Sequence, residues 1–136
     1  MKHEIADQLY TGEGFPLEPM DEVIATHFER LFILFDTFYE DSKSSLLHTE
    51  NAFRSEQFQE APTPFTAYQW AVERLCSPGP EVGSQAALPT IMCFLLRELG
   101  EFSYSEIGRM TGVDSQEVAR HIAAARTYLV GKTHLS

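Results

Sequence analysis

From Asp21 onward, apolar residues recur at three- and four-residue spacing: Val23, Ile24, Phe28, Leu31, Phe32, Phe35 and Phe38. That spacing predicts one largely buried helix, with Asp21 as its cap. Ser42 to Phe58 predicts a second, weaker helix with Leu46, Leu47, Phe53 and Phe58 inward and a polar outer face. Thr63-Pro64 opens a third, because Thr caps well and Pro loses nothing in a first turn. Its stripe is Phe65, Tyr68, Val72 and Leu75. The run Ser77 to Ser84 carries two prolines and two glycines and breaks the pattern. Helical spacing resumes at Ala86-Ala87-Leu88-Pro89 and continues through Ile91, Met92, Phe94, Leu95 and Leu99, with Gly100 placed as the glycine just beyond the helix end. Ser103-Tyr104-Ser105-Glu106 reads as a capping box. Gly112 fits a left-handed turn, and Asp114-Ser115-Gln116-Glu117 reads as a second capping box. The last helix is expected to run to Val130, with Gly131 after it. No segment alternates with the period of a strand.

The expected fold is therefore all-α, in two small helical lobes. Residues 1–19 form a tail, 20–76 a front lobe, 77–87 a linker and 88–132 a rear lobe. The tail segment TGEGFPLEP has few core residues, though Phe15 and Leu17 could dock it onto the body. The eight residues Ser77 to Ser84 span at most about 28 Å when extended. Such a short connection suits lobes packed on each other or held together by one partner.

Composition narrows the function. The chain has 136 residues, 43% of them hydrophobic, which fits a globular core. No apolar run approaches the ~20 residues of a membrane span, and Met1-Lys2-His3-Glu4 lacks the apolar core of a signal peptide. A cytoplasmic protein with no membrane partner is expected. Cys76 and Cys93 show no CxxC spacing; a disulfide has no support in the sequence, and they read first as buried thiols in a reducing compartment. The five histidines, His3, His27, His48, His121 and His134, show no HExxH or other ligand spacing. His27 lies on an apolar face, as a satisfied core histidine does. No Gly-rich phosphate loop occurs, and no metal, cofactor or enzymatic activity is expected. Charge is uneven: residues 1–80 hold five basic and fourteen acidic side chains, whereas 81–136 hold five and six. The acidity belongs to the front lobe.

Ile107, Met110, Val113, Val118 and Ile122 are placed to lock two helices across a glycine turn, as a helix-turn-helix requires. The segment LPTIMCFLLRELGEFSYSEIGRMTGVDSQEVARHIAAARTYL resembles the C-terminal promoter-recognition region of extracytoplasmic-function sigma factors. The resemblance rests on Leu88-Pro89, Arg97-Glu98, Ser103-Tyr104-Ser105-Glu106-Ile107 and Gly112-Val113, then Val118, Ile122, Ala125 and Arg126. More faintly, Phe28-Glu29-Arg30-Leu31-Phe32 is similar to the family's opening helix. Phe65 to Arg74 is similar to its promoter-melting helix. The resemblance implies DNA contacts from Ser115, Gln116, Arg120, His121, Arg126 and Lys132, and melting contacts from Tyr68, Trp70 and Arg74. For Trp70 the residues themselves leave both base stacking and core packing open, and for Arg126 and Lys132 both phosphate contact and pairing with the helix dipole.

Departures from the family pattern bear on function. Ser44, Ser45, His48, Thr49 and Asn51 stand where the family carries the polar residues that help grip the polymerase clamp. Thr66 and Ala71 replace expected arginines in the melting helix, and Ala119, His121 and Ala124 replace basic residues in the recognition helix. Affinity for DNA depends on phosphate neutralisation, and an acidic front lobe opposes it. The chain is also similar to the sigma-like domain of general-stress response regulators. The first expectation is thus a sigma mimic that binds an anti-sigma factor. The alternative is a working sigma factor that binds RNA polymerase core and promoter DNA, favoured by the basic stretch after Glu117. An exposed front-lobe face leaves a homodimer open.

Overall fold

The computed structural model describes residues 19–76 and 88–135, and the side chains among them as far as residue 129. The expected tail, with Phe15 and Leu17, and the expected linker lie outside these residues, apart from Pro19. Seven helices occupy the described chain: α1 (Pro19–Phe38), α2 (Ser42–Arg54), α3 (Glu56–Glu60), α4 (Pro64–Cys76), α5 (Leu88–Gly100), α6 (Tyr104–Thr111) and α7 (Ser115–Leu135). The all-α expectation holds.

Helix α1 begins two residues before the expected cap. Pro19 takes the first-turn position for which its ring is pre-organised, and Asp21 and Glu22 fall in the first turn, complementing the helix dipole. Leu31, Leu34, Phe35 and Phe38 turn inward, each burial being worth about 1.5–3 kcal/mol. The helix packs on α2 and α4 and also on α5.

The inward face of α2 differs from the expected one. Leu46 and Leu47 are 44% and 52% exposed, whereas Ser45, Thr49, Ala52 and Phe53 are buried. Polarity misleads here because both buried hydroxyls are satisfied at short range. Ser45 donates to Asp36 Oδ1 at 2.8 Å, and Thr49 donates to the Ser45 carbonyl at 2.7 Å. Small side chains at 45, 49 and 52 suit the close packing of α2 on its neighbours, and Phe28 stacks on Phe53 at 5.9 Å. The expected single helix to Phe58 is also broken at Ser55. Its hydroxyl donates to the Ala52 carbonyl (2.7 Å) and accepts from the Phe58 amide (3.2 Å). One serine thereby ends α2 and caps α3.

Thr63 and Pro64 open α4 as expected, with Thr63 Oγ1 accepting from the Thr66 amide at 3.2 Å. In α5 the fully inward residues are Met92, Cys93 and Leu96, while Phe94, Leu95 and Leu99 are half-buried. A helix apolar on most sides gives no clear phase, and its spacing does not mark Leu96 as inward. Gly100 stays within α5, and the left-handed residue is Glu101, with φ 58°. Glycine at 100 serves close packing instead. A Cβ there would stand 2.3 Å from Phe102 Cε2, and Phe102 is buried. Helix α7 passes through Gly131 to Leu135; a helical glycine costs about 1 kcal/mol but does not compel an end.

One core cluster runs without a break from Leu31 of α1 to Ile122 of α7. Among the described residues, the two expected lobes share it. Gly100→Ala should therefore destabilise the chain by about 1–3 kcal/mol through overpacking, although alanine is the better helix former. Urea unfolding measures the sign.

Candidate nucleic-acid and partner interface

The helix-turn-helix is α6, its turn and α7. Ser103 and Glu106 make the reciprocal capping box: the Ser103 amide donates to Glu106 Oε1 (2.8 Å), and the Glu106 amide donates to Ser103 Oγ (3.1 Å). Gly112 ends α6 at φ 80°, a conformation that glycine adopts without strain. Gly108 makes room for the turn, since a Cβ there would meet the Val113 carbonyl oxygen at 2.5 Å. Asp114 then caps α7, accepting from the Glu117 amide at 2.9 Å. Ile107, Met110, Val118 and Ile122 are buried between the helices, with Val113 half-buried beside them.

The second capping box works in one direction only. The Glu117 carboxylate turns along α7, where it pairs with Arg120 and lies 3.9 Å from His121 Nε2. His121 Nδ1 is 3.0 Å from Thr90 Oγ1 of α5, so its ring is turned toward that helix. Arg126 donates to Glu98 Oε2 of α5 at 3.1 Å. Ser115 and Gln116 stand exposed at the start of α7. The side chain of Lys132 lies outside the described residues.

Of the melting-helix candidates Tyr68 and Trp70 are drawn inward, while Arg74 is exposed. Trp70 is half-buried, with its edge toward Phe35 (6.3 Å) and the Arg74 guanidinium over its face (4.4 Å). Tyr68 is wholly buried. It lies at a seam between α4 and the rear helices, where Phe102 packs edge-on against Tyr68 (5.1 Å) and Phe65 (6.2 Å). Arg109 of α6 covers the other ring of that pair, 5.0 Å from Phe65.

Polar contacts close the same seam. His27 Nδ1 is 2.8 Å from the Tyr68 hydroxyl, which in turn donates to the Leu99 carbonyl at 3.4 Å. A neutral His27 with its proton on Nδ1 satisfies both contacts. Arg30 Nη1 donates to the same Leu99 carbonyl (3.3 Å) and pairs with Glu101 (3.7 Å). The α5 end thus has an otherwise unpartnered carbonyl and its negative dipole end met by the front lobe. Burial holds His27 below its ordinary pKa, with Arg30 adding to the effect and Glu101 opposing it. Burial likewise raises Tyr68.

The expectation of a satisfied core histidine at His27 is met. The expectation of two buried thiols is not: Cys93 is buried, but Cys76, the last residue of α4, is exposed. Sequence reasoning missed Phe102, Arg30, Glu98 and Thr90. Phe102 carried a usable signal, since an apolar residue just before a capping-box serine is the hydrophobic-staple position. The other three act through partners distant in the chain.

This arrangement defines a closed helical protein presenting a sigma-type helix-turn-helix. Residues 92–129 match the family model for sigma-70 region 4. The matched segment runs from α5 through α6 and most of α7; over it the chain is similar to sigma-70 region 4, which supports a sigma-factor-like transcription regulator. No curated protein and no solved structure gives a significant match. Among the described residues, no helix is long and apolar enough to cross a membrane.

Because His27 is neutral in the fold and its pKa is lowered, its contribution is present above pH 6.5 and is lost as pH falls through the folded-state value. The thermal midpoint should therefore fall between pH 7.5 and pH 5, and the fall should be shallower in His27→Gln. Tyr68→Phe should cost about 1–3 kcal/mol by leaving a buried ring nitrogen without its partner; differential scanning calorimetry reads both effects.

Proposed function

We propose that this protein is a sigma mimic: it presents a sigma-like surface to an anti-sigma factor and does not itself open promoters. In this reading residues 20–76 act as a region 2-like lobe, 77–87 as the linker and 88–132 as the region 4-like lobe, working in the cytoplasm. One observation carries the reading. Several of the groups that would touch a promoter are engaged within the chain: Tyr68 in the seam, Arg74 on Trp70, Arg120 on Glu117 and Arg126 on Glu98. The acidic front lobe adds repulsion toward a duplex. The buried Ser45 and Thr49, at two expected clamp-gripping positions, support the same reading.

The second reading, a working sigma factor, draws on Ser115 and Gln116. They are exposed at the start of α7, where a recognition helix meets base edges. With Arg120 and Arg126 released from their carboxylates, that helix would regain a basic face.

Two experiments separate the readings. A pull-down from the source cell should recover an anti-sigma protein; recovery of polymerase core instead, with promoter-dependent transcription lost in Arg120→Ala, would establish the second reading. In a DNA titration the protein should bind no more tightly than the ~10⁻⁴–10⁻⁶ M of non-specific association at physiological salt. The Glu98→Gln, Glu117→Gln double variant should bind more tightly. Its log–log salt slope should steepen by about two released counterions.

A further inference from the structure

Cys76 closes α4 and Cys93 lies on α5, yet both line one pocket of about 240 Å³, together with Pro89, Met92, Thr111 and Val113. The pocket sits where the front lobe ends, beside α5 and the helix-turn-helix turn. One thiol is exposed and the other buried. Burial, and then the charge Cys76 would carry, disfavour ionisation of Cys93. The other four lining residues carry no charge.

We propose that Cys76 and Cys93 form a dithiol modification site, which a hydroperoxide converts to an intramolecular disulfide joining α4 to α5. The Cys76 sulfur attacks the peroxide oxygen, giving a sulfenic acid at Cys76 and releasing an alcohol, or water from hydrogen peroxide. The Cys93 sulfur then attacks the Cys76 sulfur. The S–S bond forms, the S–OH bond breaks, and the hydroxyl leaves as water with the Cys93 proton. Two thiols lose two electrons and the peroxide gains them.

Burial raises both thiol pKa values, that of Cys93 to about 11, so the reaction quickens as pH rises. The bond would tie the front lobe to the rear lobe at a second point, away from the Phe102 seam. It does not depend on whether the closed form meets an anti-sigma factor or polymerase.

The test uses the full chain treated with equimolar hydrogen peroxide at pH 8. Expected are a monomer that has lost two hydrogens and both free thiols, a Cys76–Cys93 linked peptide, and a thermal midpoint raised by about 5–10 °C and restored by dithiothreitol. Cys93→Ala should leave Cys76 as a trappable sulfenic acid, and Cys76→Ser, at an exposed position, should leave the chain unreacted. A Cys76-linked dimer, a sulfinic acid at Cys76 beside a free Cys93, or two intact thiols would each overturn the proposal.

Discussion

The Leu99 carbonyl is the point on which the closed form turns. It belongs to the last turn of α5, where a helix leaves carbonyls without internal partners. The front lobe supplies the donors, Arg30 from α1 and the Tyr68 hydroxyl from α4. Directly after it the chain takes a left-handed step at Glu101 and drives Phe102 between Phe65 and Tyr68. The left-handed step costs about 1–2 kcal/mol for a residue with a Cβ. Burial of a phenylalanine returns about as much or more, and the ring also starts the hydrophobic seat of α6. The helix-turn-helix is thereby held against the front lobe by its own first residues.

A consequence follows for charge. The front lobe is strongly acidic, yet at the seam the pairing is the usual one of cation with carbonyl and carboxylate. On the outer face of α7 the acids are again local: Glu117 takes Arg120, and Glu98 takes Arg126. The near-neutral balance of the rear half therefore conceals an ordered pairing. The basic stretch after Glu117 is basic as a run of sequence but much less so as a surface.

Local chemistry was legible in the sequence wherever it was repeated or punctuated. The Ser103–Glu106 box, the Gly112 turn, the Thr63-Pro64 start and the apolar lock of Ile107, Met110, Val118 and Ile122 each depend on neighbours within a turn or two, and each formed as read. What failed depended on contacts that helical spacing does not encode. Ser45 is buried because Asp36 receives its hydroxyl, and polarity alone turned α2 the wrong way. Gly100 looked like a helix stop, but its role is to admit the Phe102 ring. His121 and Arg126, expected as DNA contacts, also have partners within the chain, Thr90 and Glu98. For Ser115 and Gln116, nothing in the fold withdraws them from solvent.

Magnitudes decide which of these features opposes promoter binding. The ion pairs on α7 are exposed: the Arg126 and Glu98 side chains retain 51% and 47% of their accessibility. Such pairs are worth about 0–1 kcal/mol, and a row of phosphates could displace them. The seam is different, because opening it would uncover Tyr68 and Phe102 and strip the Leu99 carbonyl of its donors. Truncating one large aromatic side chain in a core costs about 3–5 kcal/mol. A partner that needs α4 exposed must meet a cost of that order, whereas one that accepts the closed form meets none. On this argument the burial of the melting-helix candidate Tyr68, more than the loss of any arginine, is what supports the proposed mimic.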